Sequence, residues 1–305
     1  MKTISMARGG MEASAIALGC LRISPLSSRE AATLIGTALE EGIRYFDHAD
    51  IYGDGRSEEV FGKLLAKSPG MRDQMILQTK CGIRKGYYDL SRDSILQSVE
   101  GSLKRLKTDY LDVLLLHRPD ALADPEEIAE AFSALHASGK VRYFGVSNYN
   151  THQVKGLSRF LDQEIIVNQL QFGLAHTLMV DVGLNVNISN EAGIDRDQGI
   201  LDHCRQHHIT IQAWSPLHIG LLDEVFLEHQ EYPVLNRTLN NMAAAKGVSP
   251  SAIAVSWIMR HPADIQPIVG TTRPNRLRQI CQASRITLNR QEWYALYQAA
   301  GNHLP

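Results

Sequence analysis

Apolar runs with the length of buried strands alternate with amphipathic helical segments along most of this chain, and the alternation repeats eight times. Strand candidates end near Gly19, Ala49, Lys80, His117, Asn148, Phe172, Ser215 and Thr271. Between the first two, residues 28–41 carry Ala31, Leu34, Ile35, Ala38 and Leu39 on one helical face, with Ser27 or Ser28 placed to cap it. The same spacing predicts helices over 57–67, 91–106 and 125–138, the last with Pro125 in the first turn, where a missing N–H costs nothing. Strands alternating with helices pair in parallel, and parallel strands covered on both faces read as continuous apolar runs such as 113–116 and 165–167.

Eight such units in 305 residues fit an α/β fold of one kind, a single (β/α)8 TIM barrel with its active site at the C-terminal ends of the strands. A doubly wound sheet shares the alternation but predicts a glycine-rich turn after its first strand. Residues 18–24 read Leu-Gly-Cys-Leu-Arg-Ile-Ser; Gly53-Asp-Gly55 begins well, but Glu58 stands where the third glycine belongs. No phosphate-binding loop of the Walker type occurs. Two stretches depart from the repeat: residues 173–196, rich in glycine and asparagine and read as a long turn-rich loop, and an excursion over 218–246. No linker or low-complexity stretch divides the chain, so residues 1–305 read as one domain.

Chemistry gathers at three consecutive strand ends. The segment 42–53, Gly-Ile-Arg-Tyr-Phe-Asp-His-Ala-Asp-Ile-Tyr-Gly, brings Asp47 to a strand end and Tyr52 into the loop after it. The strand over 75–80 ends in Lys80 and the strand over 111–117 in His117. In a parallel barrel these ends converge on one face. The same face presents metal-ligand types, namely His48, Asp50, Asp47 and His117, which is the competing chemistry. Adjacent strand residues such as Asp47 and His48 point to opposite faces, however, so no metal is expected.

Gly42-x-Arg44-x-x-Asp47, Tyr52, Lys80 and His117 stand at the spacing of the aldo-keto reductases, and the chain closely resembles that family. The wording from Asp47 to Gly53 is similar to a bacterial branch of NADPH-dependent oxidoreductases. The resemblance implies reduction of an aldehyde or ketone to an alcohol, with Tyr52 as general acid, Lys80 and Asp47 tuning it, and His117 orienting the carbonyl. Tyrosine is a weak acid, with an ordinary pKa of about 10, and a nearby ammonium is expected to lower it. The resemblance also leaves open a non-enzymatic role, as a cofactor-sensing or regulatory subunit of the same fold. The short run after the last helix, 301–305, suggests an open site.

The cofactor follows from the same resemblance. Residues matching Ser147, Asn148 and Gln169 hydrogen-bond the nicotinamide carboxamide, and Trp214 matches the aromatic that stacks on its ring. Gly19, Asp47, Ser215 and Leu217 are further expected cofactor contacts, as are Thr271, Thr272, Arg273, Arg276 and Gln279 around the start of the helix after the eighth strand. Hydroxyls and guanidiniums at the start of a helix suit a 2′-phosphate, which favours NADPH over NADH. Ile280 stands where many relatives have an asparagine facing adenine.

A net charge of -2 offers no electrostatic case for nucleic acid or an anionic membrane, so the expected partner is a small carbonyl compound. Cys20, Cys81, Cys204 and Cys281 show no paired spacing and read as reduced thiols. The first residues lack the apolar run of a signal peptide, and a cytoplasmic location is expected.

Overall fold

The computed structural model describes residues 1–221 and 224–305. An antiparallel hairpin, β1 (Thr3–Met6) and β2 (Met11–Ser14), comes first. Eight parallel strands then close a barrel: β3 (Ala17–Gly19), β4 (Tyr45–Asp47), β5 (Ile76–Cys81), β8 (Leu111–Leu116), β9 (Val141–Ser147), β10 (Ile165–Gln171), β11 (Thr210–Trp214) and β12 (Gln266–Val269). Each pairs with its neighbour in sequence order, and β12 closes onto β3. A two-stranded ribbon, β6 (Ile83–Arg84) with β7 (Tyr87–Tyr88), interrupts the series after β5. The eight expected strand ends coincide with the eight barrel strands to within a few residues. Neither hairpin was foreseen, because four-residue and two-residue strands carry too little periodicity to read.

Helices α1 (Ser28–Glu40), α2 (Arg56–Leu65), α3 (Arg92–Leu106), α4 (Pro125–Ala137) and α5 (Thr151–Ser158) follow the first five barrel strands. Ser27 caps α1 through a reciprocal pair with Glu30, the capping box that satisfies two otherwise free N–H groups. Pro125 occupies the first turn of α4.

The segment 173–196 is largely turns and bends, as expected, but folds around one short α-helix. It contains α6 (Leu178–Leu184), and Asp181 on that helix accepts from the Tyr297 hydroxyl at 2.7 Å. Tyr297 belongs to α11 (Arg290–Ala299), so the segment is tied to the end of the chain. Helix α7 (Ile200–His207) precedes β11. After β11 the excursion includes α8 (Pro233–Lys246), and α9 (Pro250–Met259) leads into β12. Helix α10 (Pro274–Cys281) starts beyond β12.

Period-two alternation splits each strand between two environments. Phe46, Leu77, Leu114, Leu116 and Ile211 face the helices, while Ala17, Tyr45, Val113, Leu115, Val167 and Ile268 fill the barrel with Met6 and Ala13 of the hairpin packed among them. Gly145 is needed inside: a Cβ there would lie 2.6 Å from Leu115 Cδ2 and 2.7 Å from the Val167 carbonyl. Among the described residues, no helix is long and apolar enough to cross a membrane.

Candidate active site

Asp47 ends β4, Lys80 lies near the end of β5, and His117 follows β8, so all three side chains enter the barrel mouth. Lys80 is fully buried. Its Nζ donates to both Asp47 oxygens at 2.7 and 2.8 Å, to the His48 carbonyl at 2.7 Å and to the Tyr52 hydroxyl at 3.1 Å. Burial pulls the ammonium's pKa down, but Asp47 and Tyr52 outweigh that and raise it above the ordinary lysine value. Tyr52 stands edge-on to the His117 ring at 6.0 Å between centroids.

Tyr52 behaves otherwise than expected. Burial pushes its pKa above 10; Lys80 draws it down, but the Asp47 carboxylate beside Lys80 works against that pull. The ammonium therefore offsets part of the desolvation rather than making Tyr52 a strong acid outright. His117 is held well below the ordinary histidine range by burial, with Lys80 and Arg118 adding to the effect. The ring is thus neutral at neutral pH, and its Nδ1 is buried with no hydrogen-bond partner.

Beneath Asp47 lies a lattice of buried amides that the sequence reading missed. Gln78 and Gln169 both donate to Asp47 Oδ1, at 2.6 and 3.1 Å, and both donate to Gln212 Oε1, at 2.8 and 3.0 Å. Gln212 donates to Gln266 at 2.8 Å, and Gln266 to the Ser14 carbonyl at 2.6 Å. Tyr45 donates to Gln78 Oε1 at 2.7 Å. Asp47 Oδ1 therefore accepts three hydrogen bonds, which fix its orientation toward Lys80. A polar residue recurring on the inward parity of apolar strands was the available signal.

A cavity of about 270 Å³ opens above this floor. Of the expected site residues, Gly19, Asp47, Tyr52, His117, Ser147, Asn148, Gln169, Trp214 and Ser215 line it. Asn148 Nδ2 donates to Ser147 Oγ at 2.8 Å and Asn148 Oδ1 accepts from Trp214 Nε1 at 3.1 Å, so three of them are joined before any ligand arrives. Asn148 and Ser215 both sit in the left-handed region, at φ 62° and 50°, where non-glycine backbone is strained; such strain collects at working sites. Leu217 does not line the cavity but packs against the core. Thr271, Thr272, Arg273, Arg276 and Gln279 form a separate stretch running from the β12 end onto α10, with Arg273, Arg276 and Gln279 exposed. Among the described residues neither Arg273 nor Arg276 has an ion-pair partner. Ile280 is buried in the core, so its side chain cannot face an adenine. Leu21, Arg22, Ile51, Arg118, Pro216, His218, Leu221, Ile268 and Gly270 also line the cavity and were not foreseen.

The four side chains weighed as metal donors do not converge. His48 turns outward against Phe61, 4.7 Å between rings, and burial lowers its pKa to about 3. Asp50 pairs with Arg84 at 3.2 Å, and Asp47 with Lys80. Among the described residues no three His, Cys, Asp or Glu side chains gather in a way that could hold a metal ion. All four cysteines are buried and unbridged.

This geometry has close counterparts. An oxidoreductase of Bacillus subtilis, YcsN, is 40% identical over 285 residues, covering 90% of this chain and 89% of that one. A 6-dehydroglucose reductase of Novosphingobium aromaticivorans is 36% identical, covering 98% and 96%. The solved aldo/keto reductase of Klebsiella pneumoniae in complex with NADP and acetate superimposes with a TM-score of 0.77 at 27% identity, covering 97% and 94%. The model of the aldo/keto reductase family matches residues 15–300, and with a closed eightfold barrel and a Tyr–Lys–Asp cluster at its mouth, the chain belongs to that family.

Proposed function

We propose that residues 1–305 act as one barrel unit that reduces an aldehyde or ketone to an alcohol, with NADPH as cofactor. The observation that carries this reading is the seat of Lys80, whose four acceptors include the Tyr52 hydroxyl at the cavity floor. When bound, NADPH supplies a hydride to the carbonyl carbon. The carbonyl oxygen then gains negative charge and needs a proton. Tyr52 gives its hydroxyl proton to that oxygen, and Lys80 stabilises the phenolate left behind. Asp47, oriented by Gln78 and Gln169, keeps Lys80 charged and in place. His117, neutral and lining the cavity, orients the substrate oxygen.

The donor set fits the cofactor. Ser147 and Asn148 offer a hydroxyl and an amide to the carboxamide, with Trp214 hydrogen-bonded beside them and Gly19 and Ser215 lining the same cavity. Gln169 spends its N–H groups on Asp47 and Gln212, so Oε1 is the atom it offers. Thr271, Thr272, Arg273, Arg276 and Gln279 would take the 2′-phosphate end. The 6-dehydroglucose reductases among the relatives are in keeping with carbonyl reduction.

The test is loss of NADPH absorbance with a panel of aldehydes and ketones. Consumption matched by alcohol formation is expected. A protein that binds NADPH yet consumes none across the panel would overturn this reading and favour a cofactor-sensing role.

A further inference from the structure

The cavity carries a cationic group that the reduction described above does not use. Arg118 follows His117 directly at the end of β8, is half-buried and lines the same cavity as Tyr52 and His117. Among the described residues its guanidinium has no hydrogen bond and no ion pair. The only carboxylate among the described residues lining this cavity is Asp47, and both its oxygens are taken by Lys80. A guanidinium carries five donors and cannot shed its charge, so one that lines a cavity with no protein acceptor is placed to take an anionic group from a ligand.

The cofactor is not that acceptor. In the barrel order, β8 and β12 lie four strands apart in either direction, diametrically opposite each other. The candidate phosphate contacts, Thr271 through Arg276, extend from β12. Arg22, the cavity's other arginine, also leans that way, donating to the Gly270 carbonyl at 3.5 Å and lying 2.9 Å from His218. Arg118 therefore stands alone on the side where His117 orients the substrate.

We propose that the physiological substrate is an oxo acid, an aldehyde or ketone whose carbon chain also bears a carboxylate, and that Arg118 is its specificity-determining residue. The planar guanidinium fork matches a carboxylate through two parallel hydrogen bonds. Ile51, Trp214 and Leu221, which line the same cavity, suit the short apolar stretch between carboxylate and carbonyl. The inference rests on the carbonyl-reducing reading above.

The experiment compares kcat/KM for matched pairs with NADPH: succinic semialdehyde against butanal, and terephthalaldehydic acid against p-tolualdehyde. The wild type should prefer each acid by about tenfold or more, the scale of a charge-assisted hydrogen bond. The acid-to-neutral ratio should collapse toward one in Arg118→Gln, chiefly through KM, and persist in part in Arg118→Lys. Because the ratio is internal to each variant, a poorly folded fraction cancels. Turnover of both sets with no acid preference, a preference that survives Arg118→Gln, or faster turnover of neutral polyhydroxy aldehydes than of the acids would overturn the oxo-acid proposal and leave carbonyl reduction standing. Silence on every compound would remove the carbonyl-reducing reading and this inference with it.

Discussion

Replacing Lys80 by methionine separates what the Lys80–Asp47 pair does for the fold from what it does for chemistry. Methionine nearly preserves the side-chain volume but strips the charge. Four acceptors lose their donor: both Asp47 oxygens, the His48 carbonyl and the Tyr52 hydroxyl. Both members of the pair are almost wholly buried, so the Asp47 carboxylate would remain in a low-dielectric site with only the Gln78 and Gln169 amides as partners. Breaking a buried pair from one side costs about 3–5 kcal/mol. The double variant Lys80→Met with Asp47→Asn removes both charges, and an asparagine Oδ1 still accepts from the two glutamines. It should recover at least about half of that loss, since deleting both partners leaves no uncompensated ion. Turnover should stay down by about a hundredfold or more in both variants, because Tyr52 loses the cation that opposes its desolvation. Urea denaturation gives the stabilities and NADPH oxidation the rates. A single variant within about 1 kcal/mol of wild type would refute the claim that the pair is dry and tightly coupled, as would a double variant less stable than the single.

Three further outcomes follow from the same structure. Tyr52→Phe should bind NADPH normally and lose at least about a hundredfold in turnover; near-normal reduction would remove Tyr52 as the acid. Arg276→Ala should weaken NADPH by about tenfold to a hundredfold while NADH titrates as before, and equal losses would show that Arg276 does not read the 2′-phosphate. Stability should fall on acidification below about pH 6.5, because the unfolded chain takes up protons that buried His48, with a pKa of about 3, refuses. At ~1.4 kcal/mol per pH unit, His48 alone removes roughly 2–3 kcal/mol by about pH 4.5, and His48→Leu should flatten that limb of the stability profile.

The barrel was legible because its strands are buried on both faces and its helices on one, and each arrangement leaves its own period in the chain. Asp47, Lys80 and His117 were legible because ionisable groups interrupt apolar runs at strand ends. Tyr52 sits in a loop and needed the family resemblance. The amide lattice was missed for a physical reason: Gln78, Gln212 and Gln266 make sense only as a set, and nothing in one strand announces that another strand supplies its partner. The pKa of Tyr52 was misjudged because the cation was visible in the sequence and the desolvation was not.

The amide lattice also sets a condition on how the molecule reaches its native state. Gln78 meets Gln212 across 134 positions of chain, and Gln266 meets the Ser14 carbonyl across 252. No local segment can satisfy these groups by itself, and burying them unsatisfied is costly. Until β12 docks against β3, the barrel interior must stay hydrated around its glutamines. The last strand to arrive is therefore the one that dries the centre, and a chain stalled before that step would hold a wet, loosely closed barrel rather than a nearly finished one.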